Sequence, residues 1–211
     1  GEEKAMASEW FHQQLLGIAQ GNTAAFDFAY GCKTFRANRA EWDISPAVCS
    51  AGTGKTTATI RLKQKNGGLL VTCEAVLYTD YPACEWTLYF TNTSDKDSAV
   101  LSRIRALDAS FELGGAHGQP RLYYSKGGVN TADAFEPLTS ILPAGIPVRF
   151  DPGDGRCSND YMPFFNLNDG PGGLIAAIGW PGVWQAGFTN SGESGVRVTV
   201  GQKVKAGELL G

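Results

Sequence analysis

Two runs of alternating apolar and polar residues, Thr56 to Lys65 and Leu69 to Tyr78, are joined by Asn66-Gly67-Gly68. A repeat of two residues places the apolar side chains on one face of an extended chain, a spacing no helix can use. Asn-Gly supplies the left-handed backbone of a tight turn. The region is therefore predicted to be a half-buried β-hairpin. A hairpin alone cannot bury its apolar face, so further strands must cover it.

The rest of the chain provides them. Phe26, Phe28 and Tyr30 share a face of one short run, and Glu85 to Asn92 forms another. Leu122 to Ser125, Phe135 to Ile141, Val148 to Phe150, Pro163 to Leu167, Leu174 to Trp180, Trp184 to Phe188 and Val196 to Val200 continue the pattern. The 27 Gly and 10 Pro punctuate many of the gaps. Ala99 to Phe111 is ambiguous, because Val100, Ile104, Leu107 and Phe111 also fit helical spacing. The first 20 residues differ: Ser8 is expected to cap a short helix carrying Trp10, Phe11, Leu15, Ile18 and Ala19 on its apolar face. The expectation is an all-β, large antiparallel β-sandwich, with residues 1–22 as N-terminal helix or linker and 23–211 as the β domain.

Composition narrows the functions. With 43% hydrophobic and 18% charged residues the chain can bury a core. The net charge is −3 and its cations are scattered, so no nucleic-acid partner is expected. No apolar run reaches the about 18 residues of a membrane span. No signal peptide is visible after Gly1; the expectation is an exported protein, secreted or periplasmic, whose leader has been removed.

Candidate chemistry is sparse. Gly52-Thr53-Gly54-Lys55-Thr56-Thr57 imitates the end of a phosphate-binding loop, but the required earlier glycine position is Cys49 and a strand follows instead of a helix. A hairpin turn with a solvated lysine is expected there. Seven carboxylates (Asp80, Glu85, Asp108, Asp151, Asp154, Asp160, Asp169) are available to a glycosidase-type pair, and spacing pairs none of them. Asp151-Pro-Gly-Asp154-Gly reads as a turn with oxygen ligands for Ca²⁺ as the alternative. The five cysteines lack zinc spacing: Cys73 and Cys84 are expected in the core, and a disulfide among Cys32, Cys49 and Cys157 stays open. No metal and no cofactor is expected. His117 is expected in an exposed loop. Trp180 and Trp184 flank a Pro-Gly turn and are the candidate carbohydrate or domain-interface contacts, since indole faces stack on pyranose rings as readily as they fill a core.

Several stretches also resemble a known family. Leu70-Val-Thr-Cys-Glu-Ala-Val-Leu-Tyr-Thr-Asp-Tyr-Pro-Ala-Cys-Glu-Trp86, followed by Thr87-Leu-Tyr-Phe-Thr-Asn-Thr-Ser94 and Ile104-Arg-Ala-Leu-Asp108, is similar to the N-terminal domains of family 36 glycoside hydrolases, the α-galactosidases or melibiases. Phe26-Asp-Phe-Ala-Tyr30, Pro163-Phe-Phe-Asn-Leu167 and Gly173-Leu-Ile-Ala-Ala-Ile-Gly-Trp-Pro-Gly-Val-Trp184 resemble that family in the same order. The resemblance implies a β-supersandwich, like galactose-mutarotase-like domains, packed on a catalytic (β/α)₈ barrel that follows in the same polypeptide. Both catalytic Asp residues would lie in that barrel, so no catalytic residue is assigned here. Val183 departs from the family's usual Gln. The implied role is a non-catalytic domain that supports the barrel and shapes substrate access or oligomer contacts. The alternatives are a stand-alone carbohydrate-binding module and a mutarotase-like epimerase, which needs a histidine with a glutamate.

Overall fold

The computed structural model describes residues 1–113, 119–153, 155–168, 170, 172–192 and 195–203. The chain divides into two compact units, one built on Gly1–Ser102 and the other on Arg103–Glu208.

In the first unit, the two alternating runs form β5 (Lys55–Gln64) and β6 (Leu69–Tyr78), antiparallel with Ile60 opposite Cys73 and Leu62 opposite Val71. β7 (Cys84–Asn92) continues the sheet, placing Leu88 beside Cys73 and Phe90 beside Val71. On the other side of β5 lie β3 (Trp42–Ile44) and β4 (Val48–Gly52). The inner positions Ala58, Ile60, Leu62, Val71, Cys73 and Ala75 are buried, as the period of two requires. Phe28, on β1 (Asp27–Tyr30), which pairs antiparallel with β2 (Lys33–Thr34), meets Phe90 edge-on at 5.3 Å and stacks with Phe35 at the same distance.

Helix α1 (Glu2–Gln14) also packs on this sheet: Trp10 lies 5.5 Å from Trp86, and Phe11, Leu15 and Ile18 have no exposed surface. The expected Ser8 cap is corrected. The helix starts at Glu2, with Glu2 and Glu3 in its first turn, where carboxylates complement the helix dipole. Ser8 lies inside it, its carbonyl 2.7 Å from His12 Nδ1.

The second unit is a sandwich of two antiparallel sheets. One holds β11 (Val148–Phe150), β14 (Trp184–Asn190), β15 (Val196–Gln202) and β8 (Leu101–Phe111), in that order. The other runs β10 (Pro137–Ile141), β9 (Arg121–Ser125), β12 (Phe164–Asn168), β13 (Gly173–Ala177). Aromatic rings fill the space between them: Phe150 to Tyr124 at 4.6 Å, Phe165 to Phe188 at 5.1 Å and Phe165 to Trp184 at 5.8 Å. The ambiguous Ala99–Phe111 stretch is strand, because β15 takes its backbone hydrogen bonds from Leu107 to Phe111. The ladder shifts register between Val200 and Gly201, and Gly201 is needed there: a Cβ would sit 2.0 Å from the Ile104 carbonyl oxygen.

Candidate functional site

The two tryptophans of the Gly179–Trp184 segment take opposite environments. Trp184 opens β14, has no exposed surface, and donates its Nε1–H to the Cys157 carbonyl at 2.7 Å. It alternates with Ala186 and Phe188 on the inner face. Trp180 lies in the β13–β14 connection and is 47% exposed. Only Trp180 presents a ring to solvent. Val183, at the family's Gln position, is half-buried, and its carbonyl accepts the Lys203 N–H at 3.0 Å.

Several of the carboxylates already have partners. Asp108 is buried on β8; Arg197 donates Nε–H and Nη2–H to its two oxygens at 2.8 and 2.9 Å, and Arg105 adds a bond at 3.0 Å. Three guanidinium hydrogen bonds thus engage both of its oxygens. Asp151 accepts from the Gly153 N–H and from Lys203 Nζ, both at 2.9 Å. Its partial burial works to raise its pKa, and these two donors outweigh that and hold it below the ordinary carboxylate range. Lys203 is the cation paired with Asp151 in this turn. Glu85 accepts the Tyr78 hydroxyl at 2.9 Å, which raises the pKa of Tyr78. Asp154, Asp169 and His117 lie outside the described residues. Among the described residues no group of three His, Cys, Asp or Glu side chains is placed to hold a metal.

The phosphate-loop look-alike is a hairpin. Gly52 pairs with Lys55, and Thr53-Gly54 makes the turn with Gly54 at a φ of +72°. Lys55 is exposed and no helix follows, so the stacked helix N-terminal amides that grip phosphate are missing at this turn. All five cysteines, every one among the described residues, are free thiols. No disulfide joins Cys32, Cys49 and Cys157. Cys73 is buried and its thiol is pushed up to about 12; burial also lifts Cys84, which is half-buried and not fully in the core, to about 11.

The surface with unused chemistry is the outer face of the β10-β9-β12-β13 sheet. Its cross-strand register sets Thr139, Tyr123, Asn166 and Ile175 in one row across all four strands. All four are exposed. Phe164 lies two residues along β12 from Asn166 on the same face. Sequence reasoning missed this row. Each residue is visible in its own strand, but strand order and register are long-range facts.

The fold has known counterparts. The chain is similar to the GH36 α-galactosidase AgaA of Geobacillus stearothermophilus, with a TM-score of 0.60 and 15% identity over 86% of this chain and 27% of that one. It is similar to AgaB of the same organism, with a TM-score of 0.59 and 16% identity over 88% of this chain and 28% of that one. An α-galactosidase from Lactobacillus brevis gives a TM-score of 0.54 and 13% identity over 87% of this chain and 26% of its own length. No protein-family model and no curated protein matches the chain. The chain thus has a fold that GH36 α-galactosidases carry, and it spans about a quarter of their length. The β-sandwich architecture and the structural resemblance read from the motifs agree with this.

Proposed function

We propose that this chain is the non-catalytic N-terminal domain of an α-galactosidase-like glycoside hydrolase, and that it supports a catalytic barrel belonging to the same polypeptide. The observation that carries the reading is the pairing of nearly complete coverage of this chain with about a quarter coverage of each enzyme it resembles. The ordered motifs from Phe26 to Trp184 point the same way. Burial and ion pairing of Asp108 and Asp151 fit a structural role for the acids of this chain. On this reading the parent enzyme cleaves terminal α-galactosyl groups, and this domain shapes access to that site or contacts between subunits. AgaA variants have been crystallised with raffinose and with stachyose, so galactosyl oligosaccharides are the first substrates to try on the parent.

The test compares the isolated chain with the full-length product of its reading frame, using an aryl α-galactoside. The full-length protein is expected to hydrolyse it and the isolated chain to leave it intact. Turnover by the isolated chain, or an inactive full-length protein without a barrel, would refute the reading.

A further inference from the structure

The turn between β5 and β6 holds an asparagine that the fold leaves open to attack by its own backbone. Asn66 is the one asparagine of the chain that is followed by glycine. Lys65, Asn66 and Gly67 are all exposed. The Asn66 N–H donates to Gln64 Oε1 at 2.8 Å. Among the described residues, no hydrogen bond holds the Asn66 side-chain amide or the Gly67 N–H. Other asparagines are pinned. The side-chain amides of Asn22, Asn38, Asn92 and Asn190 donate to backbone carbonyls at 3.1, 2.9, 2.7 and 2.9 Å. Each of these four also precedes a residue that carries a side chain.

A free carboxamide beside an unshielded backbone nitrogen is a reactive pair. Glycine has no Cβ to keep that nitrogen away from the neighbouring side chain. The Gly67 nitrogen gives its proton to a solvent base and attacks Cγ of Asn66. The N–Cγ bond forms and the Cγ–Nδ2 bond breaks. Nδ2 takes a proton from solvent and leaves as ammonia. The succinimide ring then takes up one water. Opening at the Asn66 backbone carbonyl leaves the chain running through Cγ, as isoaspartate. Opening at Cγ leaves aspartate. No oxidant, reductant or cofactor takes part.

The fold also resists replacement of the glycine. A Cβ on Gly67 would come within 2.7 Å of Gln64 Oε1 and 3.2 Å of the Tyr30 hydroxyl, and Gln64 is itself buried. The same crowding leaves the turn no slack. On one side Lys63 is fixed opposite Leu70. On the other, the Gly68 carbonyl accepts the Thr93 N–H at 2.6 Å and its hydroxyl at 2.8 Å. A Cβ on Gly68 would lie 2.5 Å from the Ser94 Cβ. Isoaspartate inserts a methylene into the main chain between these anchors. It also adds a negative charge to a chain whose net charge is −3.

We infer that Asn66 is a site of spontaneous modification, where the β5–β6 turn converts through a succinimide to isoaspartate and aspartate, and that the isoaspartyl form strains the hairpin. The inference goes beyond the accessory-domain reading and is independent of it, because the reacting atoms and their surroundings all belong to this turn. An Asn66 that stays intact leaves that reading untouched, and an unrelated parent gene leaves the modification site in place.

The experiment incubates the 211-residue chain in mildly alkaline buffer, native and in urea. Peptide mass spectrometry with electron-transfer fragmentation reads each asparagine and separates isoaspartate from aspartate. In the native chain Asn66 should convert first, at a rate that rises in proportion to hydroxide. That rate should lie within about fivefold of the rate in urea, the small protection given by an exposed turn that opens at almost no cost. Asn22, Asn38, Asn92 and Asn190 should stay intact in the native chain. The isoaspartyl form, isolated by chromatography, should melt below Asn66→Asp, which adds the charge without the methylene. Native conversion of Asn66 slower than that range, or another asparagine converting before it, overturns the site. Equal melting of the isoaspartyl form and Asn66→Asp overturns the strain.

Discussion

Trp184→Ala is the sharpest test of the second unit's interior. The indole has no exposed surface and packs against Phe165 at 5.8 Å. Truncating a buried aromatic costs about 3–5 kcal/mol, through lost transfer energy and the cavity left behind. The Nε1–H bond to the Cys157 carbonyl, 2.7 Å long, is lost as well. That adds about 1 kcal/mol, giving about 4–6 kcal/mol in all. A domain's whole stability is about 5–15 kcal/mol, so the variant should be near the edge of folding. For a chain of this size the melting temperature should fall by about 8–24 °C. Trp184→Phe separates the two contributions: it keeps most of the packing, strands the carbonyl and should cost about 1–3 kcal/mol. Trp180→Ala, on an exposed ring, should stay within about 0.5 kcal/mol. Urea unfolding followed by far-ultraviolet circular dichroism gives all three values. A cost below about 1 kcal/mol for Trp184→Ala would refute the buried placement and the sandwich built around it.

Arg197→Ala removes the bidentate partner of buried Asp108 and should cost about 2–4 kcal/mol in the same urea assay, whereas Arg105→Ala, which removes one bond, should cost about 1–2 kcal/mol. Equal effects would contradict the geometry. Iodoacetamide on the native chain should label the exposed Cys32 and Cys49 first and leave Cys73 unmodified, because burial both hides that thiol and holds it protonated up to about pH 12; peptide mass spectrometry reads the sites, and native labelling of Cys73 would contradict its burial. Asp133 should titrate near pH 2, below its ordinary 3.8, because Lys126 and then the Thr131 side chain hydrogen-bond its charged form. A depressed folded-state pKa stabilises fully above the unfolded value, so this contribution should fade as the pH falls from about 4 through 2 and be absent from Asp133→Asn. A carboxyl resonance of Asp133 titrating at its ordinary value would break that argument.

The strands with period-two burial were legible because that period fixes the inward face. β6 spans Leu69–Tyr78 as its alternation predicts, and Asn66-Gly67-Gly68 joins it to β5. The Thr53-Gly54 turn was legible for the same local reason. β4 was not, because Val48–Gly52 is exposed throughout and so leaves no alternating signal. The helix start was misplaced because Ser8 fits a cap by residue type, while the acidic pair at Glu2-Glu3 is the feature that coincides with the true N-terminus. Trp184 carried a readable sign in its alternation with Ala186 and Phe188. The sequence run from Leu174 ends at Trp180, but the strand stops at Ala177 and leaves Trp180 in the connection that follows. The Thr139, Tyr123, Asn166 and Ile175 row needed strand order, which sequence spacing does not encode: Tyr123 and Asn166 are far apart in the chain yet face each other on neighbouring strands.

The central claim is that this chain is one part of a larger sugar-cleaving enzyme, and the size and activity of the native polypeptide test it most directly. An antibody raised against the chain should capture from its source cells a protein several times longer that hydrolyses an aryl α-galactoside. Capture of a polypeptide no longer than these 211 residues, or of a long one without that activity, would contradict the account.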